Sequence, residues 1–346
     1  MIGTLKNVHV ESVTATVSKT RVPVEEVVKD LLTQKKAKRL VHGTGVEALS
    51  IVPQDVCTSD LCYESAQRLL EKTDADEVGA LLFISQTADY LSPATSYLLQ
   101  KRLGLRHDIL AFDINLGCSG FCYGVFLAGT LLPALGGRKV LVCCGDTSSR
   151  NAYPADTSML SISGDAGAAA IVAPAEGKDI SYHVESFGER ADCLLIPRGG
   201  YRANRLTDTR GGDTLTLRAD NYVVMDGMAV MNFTTEEVPR NIKELLAFAH
   251  VAADEIDCAV LHQPNAMILK TLAASLGIGV ERVPFESSRI GNASSASIPV
   301  CLAELERQRK YHPAEKYLLS GFGVGLSVAT LLTDFSETRV EAIGEL

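Results

Sequence analysis

The stretch "DINLGCSGFCYG" (113–124) sets a cysteine in a glycine-rich turn between a strand-like run and an apolar run of helical length. Two interpretations of Cys118 are open. In the first, it is a small apolar side chain that fills a tight corner. In the second, it is a nucleophile at a helix N-terminus, where unpaired amides and the helix dipole favour a thiolate. Gly117 and Gly120 carry no side chain that would keep a substrate away.

The composition excludes several classes of protein. Of the 346 residues, 46% are hydrophobic and 22% are charged, and the formal charge of −9 argues against a general nucleic-acid binder. No apolar run approaches the ~20 residues that span a bilayer. The start of the chain alternates like a strand and does not read as a signal peptide. The nine cysteines lack disulfide or metal-ligand spacing, which predicts reduced thiols, no bound metal and a cytoplasmic protein.

Strand-like and helix-like stretches alternate along the chain, which is typical of an α/β fold. One order of elements occurs twice: strand, helix, strand with turn, helix, strand. The first half carries it as "EVGALLFISQ", "SPATSYLLQKRLGL", "FDINLGCSGFCYGVFLAGTLL" and "KVLVCCGD", and the second as "EIDCAVLHQP", "NAMILKTLAASLGI", "SRIGNASSASIPVCLAEL" and "KYLLSGFG". The sequence therefore predicts two related halves, residues 1–175 and 176–346.

The repeat predicts that three polar side chains meet. The turns "LGCSG" and "IGNAS" open equivalent helices, so Cys118 and Asn292 occupy related places, and His262 ends a strand of the second half. In open α/β sheets, sites form beyond the carboxyl ends of strands. Each residue also has a structural interpretation: a buried thiol, a surface histidine and a turn asparagine.

Cysteine, histidine and asparagine together suit carbon–carbon bond formation between thioesters. The cysteine holds an acyl group, while the other two donate hydrogen bonds to a developing enolate or oxyanion. These residues do not identify the acyl group, so primary fatty-acid synthesis and a polyketide-like pathway are both open.

At these residues the chain resembles the thiolase-fold condensing enzymes, most closely the beta-ketoacyl-acyl-carrier-protein synthase III family. The likeness extends over nearly the whole chain. It is carried by "GCSGF", "HQPN", "GNASSASIP", "GDAGAAAIV", "MDGMAVMNF" and "GFGVG". The resemblance implies a homodimer with a five-layered αβαβα fold of the α/β class, built from two pseudo-repeated halves.

The resemblance also implies roles for the matched residues. Cys118 is the acyl acceptor, and His262 and Asn292 polarise the carbonyl of a malonyl thioester during decarboxylation. The backbone amides of Cys118 and Val324 form the oxyanion hole, and Phe322 lies near the extender. No metal or cofactor is implied, because the phosphopantetheine arm of acyl carrier protein, or coenzyme A, carries the substrates.

Further positions are expected to bind substrate. Asn265 matches the residue that hydrogen-bonds the pantetheine arm, and Gly227 leaves room beside it. Met228 and Met231 either line that channel or fill the core. Ser92 stands where relatives often have a bulky residue contributed across the dimer, so we expect a primer longer or bulkier than acetyl.

Three positions depart from the family pattern for coenzyme A donors. Relatives place a tryptophan and two arginines against the nucleotide, whereas this chain has no tryptophan and carries Arg39, Gly43 and Thr157 at those positions. Contacts of this kind are worth ~1–3 kcal/mol each. Their loss disfavours free coenzyme A thioesters as donors.

The surface that meets the acidic carrier protein also differs. Asn232 and Met267 stand at two positions that are usually basic in relatives. The stretch "KKAKR" (35–39) either takes over this role or is an ordinary solvated loop or helix end. We expect a primer delivered on a carrier.

The sequence therefore predicts an acyltransferase that condenses a Cys118-bound acyl primer with malonyl-acyl-carrier protein, with decarboxylation, to give a 3-oxoacyl thioester. Two alternatives are open. One is an acyltransferase of the same fold that passes the acyl group from Cys118 to an alcohol or amine. The other is a non-catalytic partner subunit. Carbon dioxide release and acylation of Cys118 distinguish the three.

Overall fold

A computed structural model describes residues 1–197, 199–200 and 221–346. The strands are β1 (Ile2–Val17), β2 (Arg21–Pro23), β3 (Ala48–Ser50), β4 (Val78–Ile84), β5 (Leu110–Ile114), β6 (Lys139–Thr147), β7 (Asp165–Ser186), β8 (Leu194–Leu195), β9 (Val224–Met225), β10 (Cys258–Leu261), β11 (Tyr317–Gly323), β12 (Ser327–Thr333), β13 (Arg339–Val340) and β14 (Gly344–Glu345). The helices are α1 (Val24–Val27), α2 (Gln34–Thr44), α3 (Thr58–Leu70), α4 (Thr95–Arg102), α5 (Gly120–Leu131), α6 (Thr157–Leu160), α7 (Gly227–Phe248), α8 (Ala266–Leu276) and α9 (Ser297–Arg307). None of these helices is long and apolar enough to cross a membrane.

The elements follow from the apolar patterns. All seven residues of β4 are buried, as expected for a strand that has neighbours on both edges and helices on its faces. The apolar run at 168–174 is only part of β7, which continues past Pro174 because it pairs with β1 across a register shift. Helix α7 begins at Gly227, since the side chain of Asp226 accepts hydrogen bonds from the amides of the first turn.

Strand pairing repeats between the two parts of the chain. Within the described residues, ten strands form one sheet. β4 runs parallel to β6, which runs antiparallel to β7. In the same order, β10 runs parallel to β11, which runs antiparallel to β12. This order agrees with the first and last strands of the sequence repeat. The strand predicted before the turn "IGNAS" is not found in the described part of the chain, where Asn292 forms only an isolated bridge with Ser163. The division at residues 175 and 176 stays a prediction, because β7 runs through it and pairs with both β6 and β12.

Two helices lie between the strands of the two parts. α5 contacts β4 and β6 from the first part of the chain and β11 and β12 from the second. In α9, every residue from Ser297 to Leu305 is buried, which is the pattern of a helix enclosed on all sides. Gly124 lets α5 approach the sheet, since a Cβ there would stand 2.8 Å from Val142 Cγ1. The N-terminus of α5 is thereby held at the junction, where Cys118 precedes it.

Candidate active site

Cys118 lies half-buried in the turn between β5 and α5 and lines a cavity of about 250 Å³. The turn is closed by a hydrogen bond of 2.7 Å from the Gly120 amide to the Gly117 carbonyl. Gly323, at the end of β11, faces the thiol: a Cβ there would stand 2.8 Å from Cys118 Cβ and 2.9 Å from Sγ. Any side chain at Gly323 would therefore displace the sulfur.

The thiol of Cys118 is protonated at rest. Burial raises its pKa to about 11, and hydrogen bonds from the backbone of Val324 and of Cys118 itself oppose this rise without cancelling it. At pH 7 only about 10⁻⁴ of such a thiol is ionised. The helix N-terminus, which the sequence predicts to favour a thiolate, thus does not offset the cost of desolvating the anion.

His262 follows β10 and presents a neutral imidazole. Its Nδ1 lies 2.7 Å from Ser297 Oγ, and only 3% of the residue is exposed. Burial lowers the pKa of the imidazole to about 3. The ring of Phe322 meets it edge-on, with 5.4 Å between the centroids. When the Ser297 hydroxyl donates to Nδ1, Nε2 carries the proton and can donate to a substrate.

Asn292 is fixed by its backbone in the turn before α9. Its amide donates to Ile162 O at 2.6 Å, and its carbonyl accepts from the Gly164 amide at 3.1 Å. The side-chain Oδ1 accepts from the Ser294 amide at 2.9 Å. Since the oxygen is engaged in this way, the Nδ2 hydrogens are left to donate into the cavity.

The cavity brings the predicted catalytic residues together, because Cys118, His262 and Asn292 all line it. The other predicted residues that line it are Gly227, Met231, Asn265, Phe322 and Val324. Asn265 also caps α8, where its Oδ1 accepts from the Ile268 amide at 3.0 Å. The hydrogen bond from its Nδ2 to a substrate arm stays a prediction.

Two predicted substrate contacts lie elsewhere in the chain. Met228 is 72% exposed and is not among the described residues that line the cavity, so its contact with a substrate arm stays a prediction. The residues of α7 that do line it share one helical face at i, i+3, i+4 and i+7: Gly227, Val230, Met231 and Thr234. Met228 falls on a different face. Ser92 is exposed and outside this lining; its role concerns a second chain and stays a prediction.

The sequence reasoning missed a buried carboxylate beside the thiol. Asp146, near the end of β6, is 2% exposed and lines the cavity. Its oxygens accept hydrogen bonds from Ser85 Oγ at 3.0 Å, the Gln86 amide at 2.7 Å, Thr87 Oγ1 at 3.2 Å and Ser295 Oγ at 3.4 Å. Burial raises the pKa of this carboxyl, and the hydrogen bonds oppose the rise. The signal was the acid that ends the apolar run "KVLVCCGD".

The sequence reasoning also missed most of the cavity wall. One side is apolar and is formed by residues in or next to the paired strands β8 and β9: Leu194, Leu195, Ile196, Val223 and Met225. Another side carries Gln86, Ser148 and Asn151. These residues lie in short or irregular segments, where the sequence has no periodicity that would orient them.

A thiol, a neutral imidazole and a carboxamide around one mainly apolar cavity define a cysteine-dependent acyl-transfer enzyme of the condensing class. The comparisons with known proteins identify the family. The family model described as 3-oxoacyl-[acyl-carrier-protein (ACP)] synthase III matches residues 112–188. The one described as 3-oxoacyl-[acyl-carrier-protein (ACP)] synthase III C terminal matches residues 246–335.

Individual relatives match over most of their length. The chain is 32% identical to a beta-ketoacyl-[acyl-carrier-protein] synthase III of Rhodopirellula baltica, over 85% of this chain and 89% of the relative. It is 30% identical to a putative 3-oxoacyl-[acyl-carrier-protein] synthase 3 of Campylobacter jejuni, over 91% and 88%. The crystal structure of a 3-oxoacyl-(acyl-carrier protein) synthase from Burkholderia xenovorans LB400 matches with a TM-score of 0.92 at 30% identity, covering 100% of this chain and 99% of that chain.

The chain belongs to the beta-ketoacyl-acyl-carrier-protein synthase III family. This confirms the predicted thiolase-like fold class. The chain is thus an acyltransferase of the condensing type, which joins an acyl group to malonyl-acyl-carrier protein. Enzymes of this type need no metal or cofactor beyond the carriers of their thioester substrates.

The ionisation of Cys118 gives a first prediction. Its alkylation by iodoacetamide should accelerate about tenfold per pH unit from pH 7 to pH 10, because the thiol's pKa is about 11. Asp146→Asn removes a negative charge that raises this pKa, so it should move the profile to lower pH. Mass spectrometry of the peptide that contains Cys118 gives the rate at each pH.

Asp165→Asn is the matched control. Asp165 is also a buried carboxyl and accepts hydrogen bonds from the amides of Val52 and Ser149, but it is not among the groups that shift the Cys118 pKa. Its profile should follow that of the unmodified protein. A plateau near pH 8, or an Asp146→Asn profile moved to higher pH, would contradict the electrostatic account.

Proposed function

We propose that Cys118 accepts the primer and that His262 and Asn292 stabilise the enolate formed from the malonyl unit. The observation that carries this proposal is the single cavity lined by all three side chains, with the imidazole held neutral. The roles follow from what each group can do in that cavity: a sulfur can bond to carbon, and two N–H groups can donate hydrogen bonds.

In the loading step, the sulfur of Cys118 attacks the carbonyl carbon of the acyl thioester. The bond from carbon to the carrier sulfur breaks as the bond to Cys118 forms, and the thiol proton leaves on the carrier sulfur. The backbone groups of Cys118 and Val324 hydrogen-bond the thiol sulfur. Amides in this position can donate to the oxyanion of the tetrahedral intermediate.

In the condensing step, the malonyl carboxylate leaves as carbon dioxide and its bonding electrons form an enolate on the thioester. Nε2 of His262 and Nδ2 of Asn292 donate to the enolate oxygen. The enolate carbon attacks the acyl carbonyl on Cys118, the sulfur leaves as a thiolate, and the thiolate takes up a proton. The product is a 3-oxoacyl thioester on the carrier.

The neutral state of His262 decides its role. With a pKa of about 3, the imidazole is uncharged throughout the physiological pH range. It therefore acts as a hydrogen-bond donor and contributes no ionic attraction to the malonyl carboxylate. Ser297 orients the ring through Nδ1, as a supporting hydrogen bond does for other functional histidines.

Substitution of the two donors should separate the two steps. His262→Ala and Asn292→Ala should each slow decarboxylation of malonyl thioester by about 10²–10³-fold, because each removes one donor to the enolate. Acylation of Cys118 should persist in both, whereas Cys118→Ala should form no acyl-enzyme. Carbon dioxide release and the intact mass of the protein measure the two steps.

His312→Ala is the control, because His312 is exposed and does not line the cavity; it should behave as the unmodified protein. Loss of loading in the His262 and Asn292 variants, with decarboxylation preserved, would show that the roles are wrongly assigned. Acyl transfer to an alcohol or amine without carbon dioxide release would identify the alternative acyltransferase. An unmodified Cys118 would identify a non-catalytic subunit.

We infer that helix α2 contributes to the docking of an acidic acyl carrier protein. Lys35, Lys36, Lys38 and Arg39 are exposed on this helix. None of the four forms an ion pair with the residues that the structure describes. In a chain of formal charge −9, such a cluster is a local positive field that favours an acidic partner.

The position of α2 places this basic cluster near the cavity. Gly45, which ends the helix, packs against the first residue of α8: a Cβ on Gly45 would stand 2.7 Å from Ala266 Cβ. The preceding residue, Asn265, lines the cavity. A carrier bound to α2 would therefore sit beside the residue predicted to hold its pantetheine arm.

Charge reversal tests this surface. Changing Lys35, Lys36, Lys38 and Arg39 together to Glu should raise the KM for malonyl-acyl-carrier protein about tenfold or more, with a larger effect at low salt. The KM for malonyl-pantetheine should stay unchanged, since it has no carrier surface. Lys243→Glu with Lys310→Glu, at exposed sites elsewhere, is the control. Equal effects on both substrates would contradict the assignment.

We also infer a homodimer formed through β5. This strand ends the path of the large sheet and leaves Leu110 46% and Phe112 37% exposed. The loop before α4 lies beside it, because the Thr95 amide donates to Asp113 Oδ2 at 2.6 Å, and that loop carries the exposed Leu91. An unpaired edge strand with apolar side chains favours pairing with a second copy.

Sedimentation equilibrium should give twice the chain mass, and Phe112→Asp should shift the population to monomer. Val280→Asp is the control. Val280 is also apolar and 58% exposed, but it belongs to the short helical turn at 280–282 and not to β5 or the loop before α4. A monomeric unmodified protein would overturn this arrangement, and with it the role of Ser92 across the dimer.

We further propose a cytoplasmic location. All nine cysteines are free thiols, which suits a reducing compartment. In an oxidising compartment, oxidation of the Cys118 thiol would remove the nucleophile. Fractionation of the native host, with thiol labelling before lysis, tests the location.

A further inference from the structure

Three polar side chains of the cavity have no hydrogen-bond partner among the residues that the structure describes. They are the carboxamide of Gln86, the hydroxyl of Ser148 and the carboxamide of Asn151, called here the polar wall. Gln86 follows β4, and the other two follow β6. β4 and β6 are parallel neighbours, with Ile84 opposite Cys144. The polar wall therefore forms at the carboxyl ends of two adjacent strands.

Gln86 lies next to the nucleophile. A Cβ on Gly117 would collide with Gln86 Oε1 and stand 3.0 Å from its Cδ, so the carboxamide rests on the residue before Cys118. The backbone of Gln86 is held by the 2.7 Å hydrogen bond from its amide to Asp146. The carboxamide is thus placed by a buried anchor, and an acyl group on Cys118 would pass beside it.

The rest of the surroundings gives a neutral and partly apolar site. The Val223 amide donates to the backbone carbonyl of Asn151 at 2.9 Å, which joins the polar wall to the apolar side of the cavity near β8 and β9. No lysine or arginine is among the described residues that line the cavity, and its one carboxyl group, on Asp146, is already engaged by four donors. Within the described residues, the lining therefore offers a bound substituent hydrogen bonds and no charged partner.

An unsubstituted acyl chain would be a poor match for this wall. It would displace water from two carboxamides and a hydroxyl and would return no hydrogen bond to them. A site built to hydrogen-bond a polar substituent rejects the analogue that lacks it, whereas an apolar pocket discriminates weakly against an added hydroxyl.

Given the proposed function, we propose that the primer carried by Cys118 bears a neutral hydrogen-bonding substituent, a hydroxyl or keto group, and that Gln86 and Asn151 select it. The carboxamides can both donate and accept, so they accommodate either group. The apolar side of the cavity then covers the hydrocarbon part of the same primer. This makes Gln86 and Asn151 specificity-determining residues for the loading step.

Competition between matched thioesters tests the proposal. Butanoyl-, 3-hydroxybutanoyl- and 3-oxobutanoyl-pantetheine are offered in equal amounts, and the mass added to Cys118 is read from the intact protein. The substituted primers should load at least about tenfold faster than butanoyl. Gln86→Met and Asn151→Leu, which keep the side-chain size, should each reduce that preference about tenfold and speed butanoyl loading.

Gln67→Met is the control, because Gln67 is an exposed glutamine on α3 outside the cavity; its preference should equal that of the unmodified protein. Circular dichroism and an unchanged unfolding midpoint establish that the variants fold. Faster loading of butanoyl by the unmodified protein, or a preference that survives both substitutions, would overturn the proposal and leave the proposed function intact. No loading of Cys118 by any thioester would overturn the proposed function as well.

Discussion

The geometry of the site depends on the hydrogen bonds that the buried carboxyl group of Asp146 accepts. Burying a carboxylate costs several kcal/mol, and here the group is stabilised by donors from Ser85, Gln86, Thr87 and Ser295. Three of these donors belong to the loop after β4, and Ser295 belongs to the turn that carries Asn292. The side chain of Asp146, near the end of β6, thus hydrogen-bonds two turns that are more than 200 residues apart in sequence. The same turns are also joined directly, because Ser295 Oγ donates to the carbonyl of Ile84, 211 residues away. Without Asp146, both turns would lose the acceptor to which they donate hydrogen bonds.

Topology explains why much of this could be predicted from the sequence. β4 and β6 are continuous apolar runs, and their equivalents β10 and β11 follow the same order, so the ends of the strands were expected to meet. The convergence of Cys118, His262 and Asn292 follows from that order if the two parts pack against each other as related units, and it could be predicted without knowing any contact. The resemblance to a known family added the roles of the residues, which topology alone does not provide.

The parts that could not be predicted depend on rotation and burial. The first turns of α7 carry methionines on more than one face, so the sequence does not say that Met231 faces the cavity while Met228 faces solvent. The pKa of Cys118 depends on how much solvent the whole fold removes, and a helix N-terminus alone suggests the opposite shift. The polar wall was missed because Gln86, Ser148 and Asn151 lie in irregular segments, where polar residues usually mark an ordinary surface loop.

The resting site contains its two reactive groups in neutral forms, and this has a consequence for catalysis. A protonated His262 would form an ion pair with the malonyl carboxylate and stabilise the substrate before carbon dioxide leaves. A neutral imidazole donates weakly to the thioester carbonyl and more strongly to the enolate, whose oxygen carries the developing negative charge. Only an interaction that strengthens on the way to the transition state lowers the barrier. Burial, which lowers the pKa of His262 to about 3, therefore removes a ground-state attraction and leaves the donor that we propose acts on the enolate.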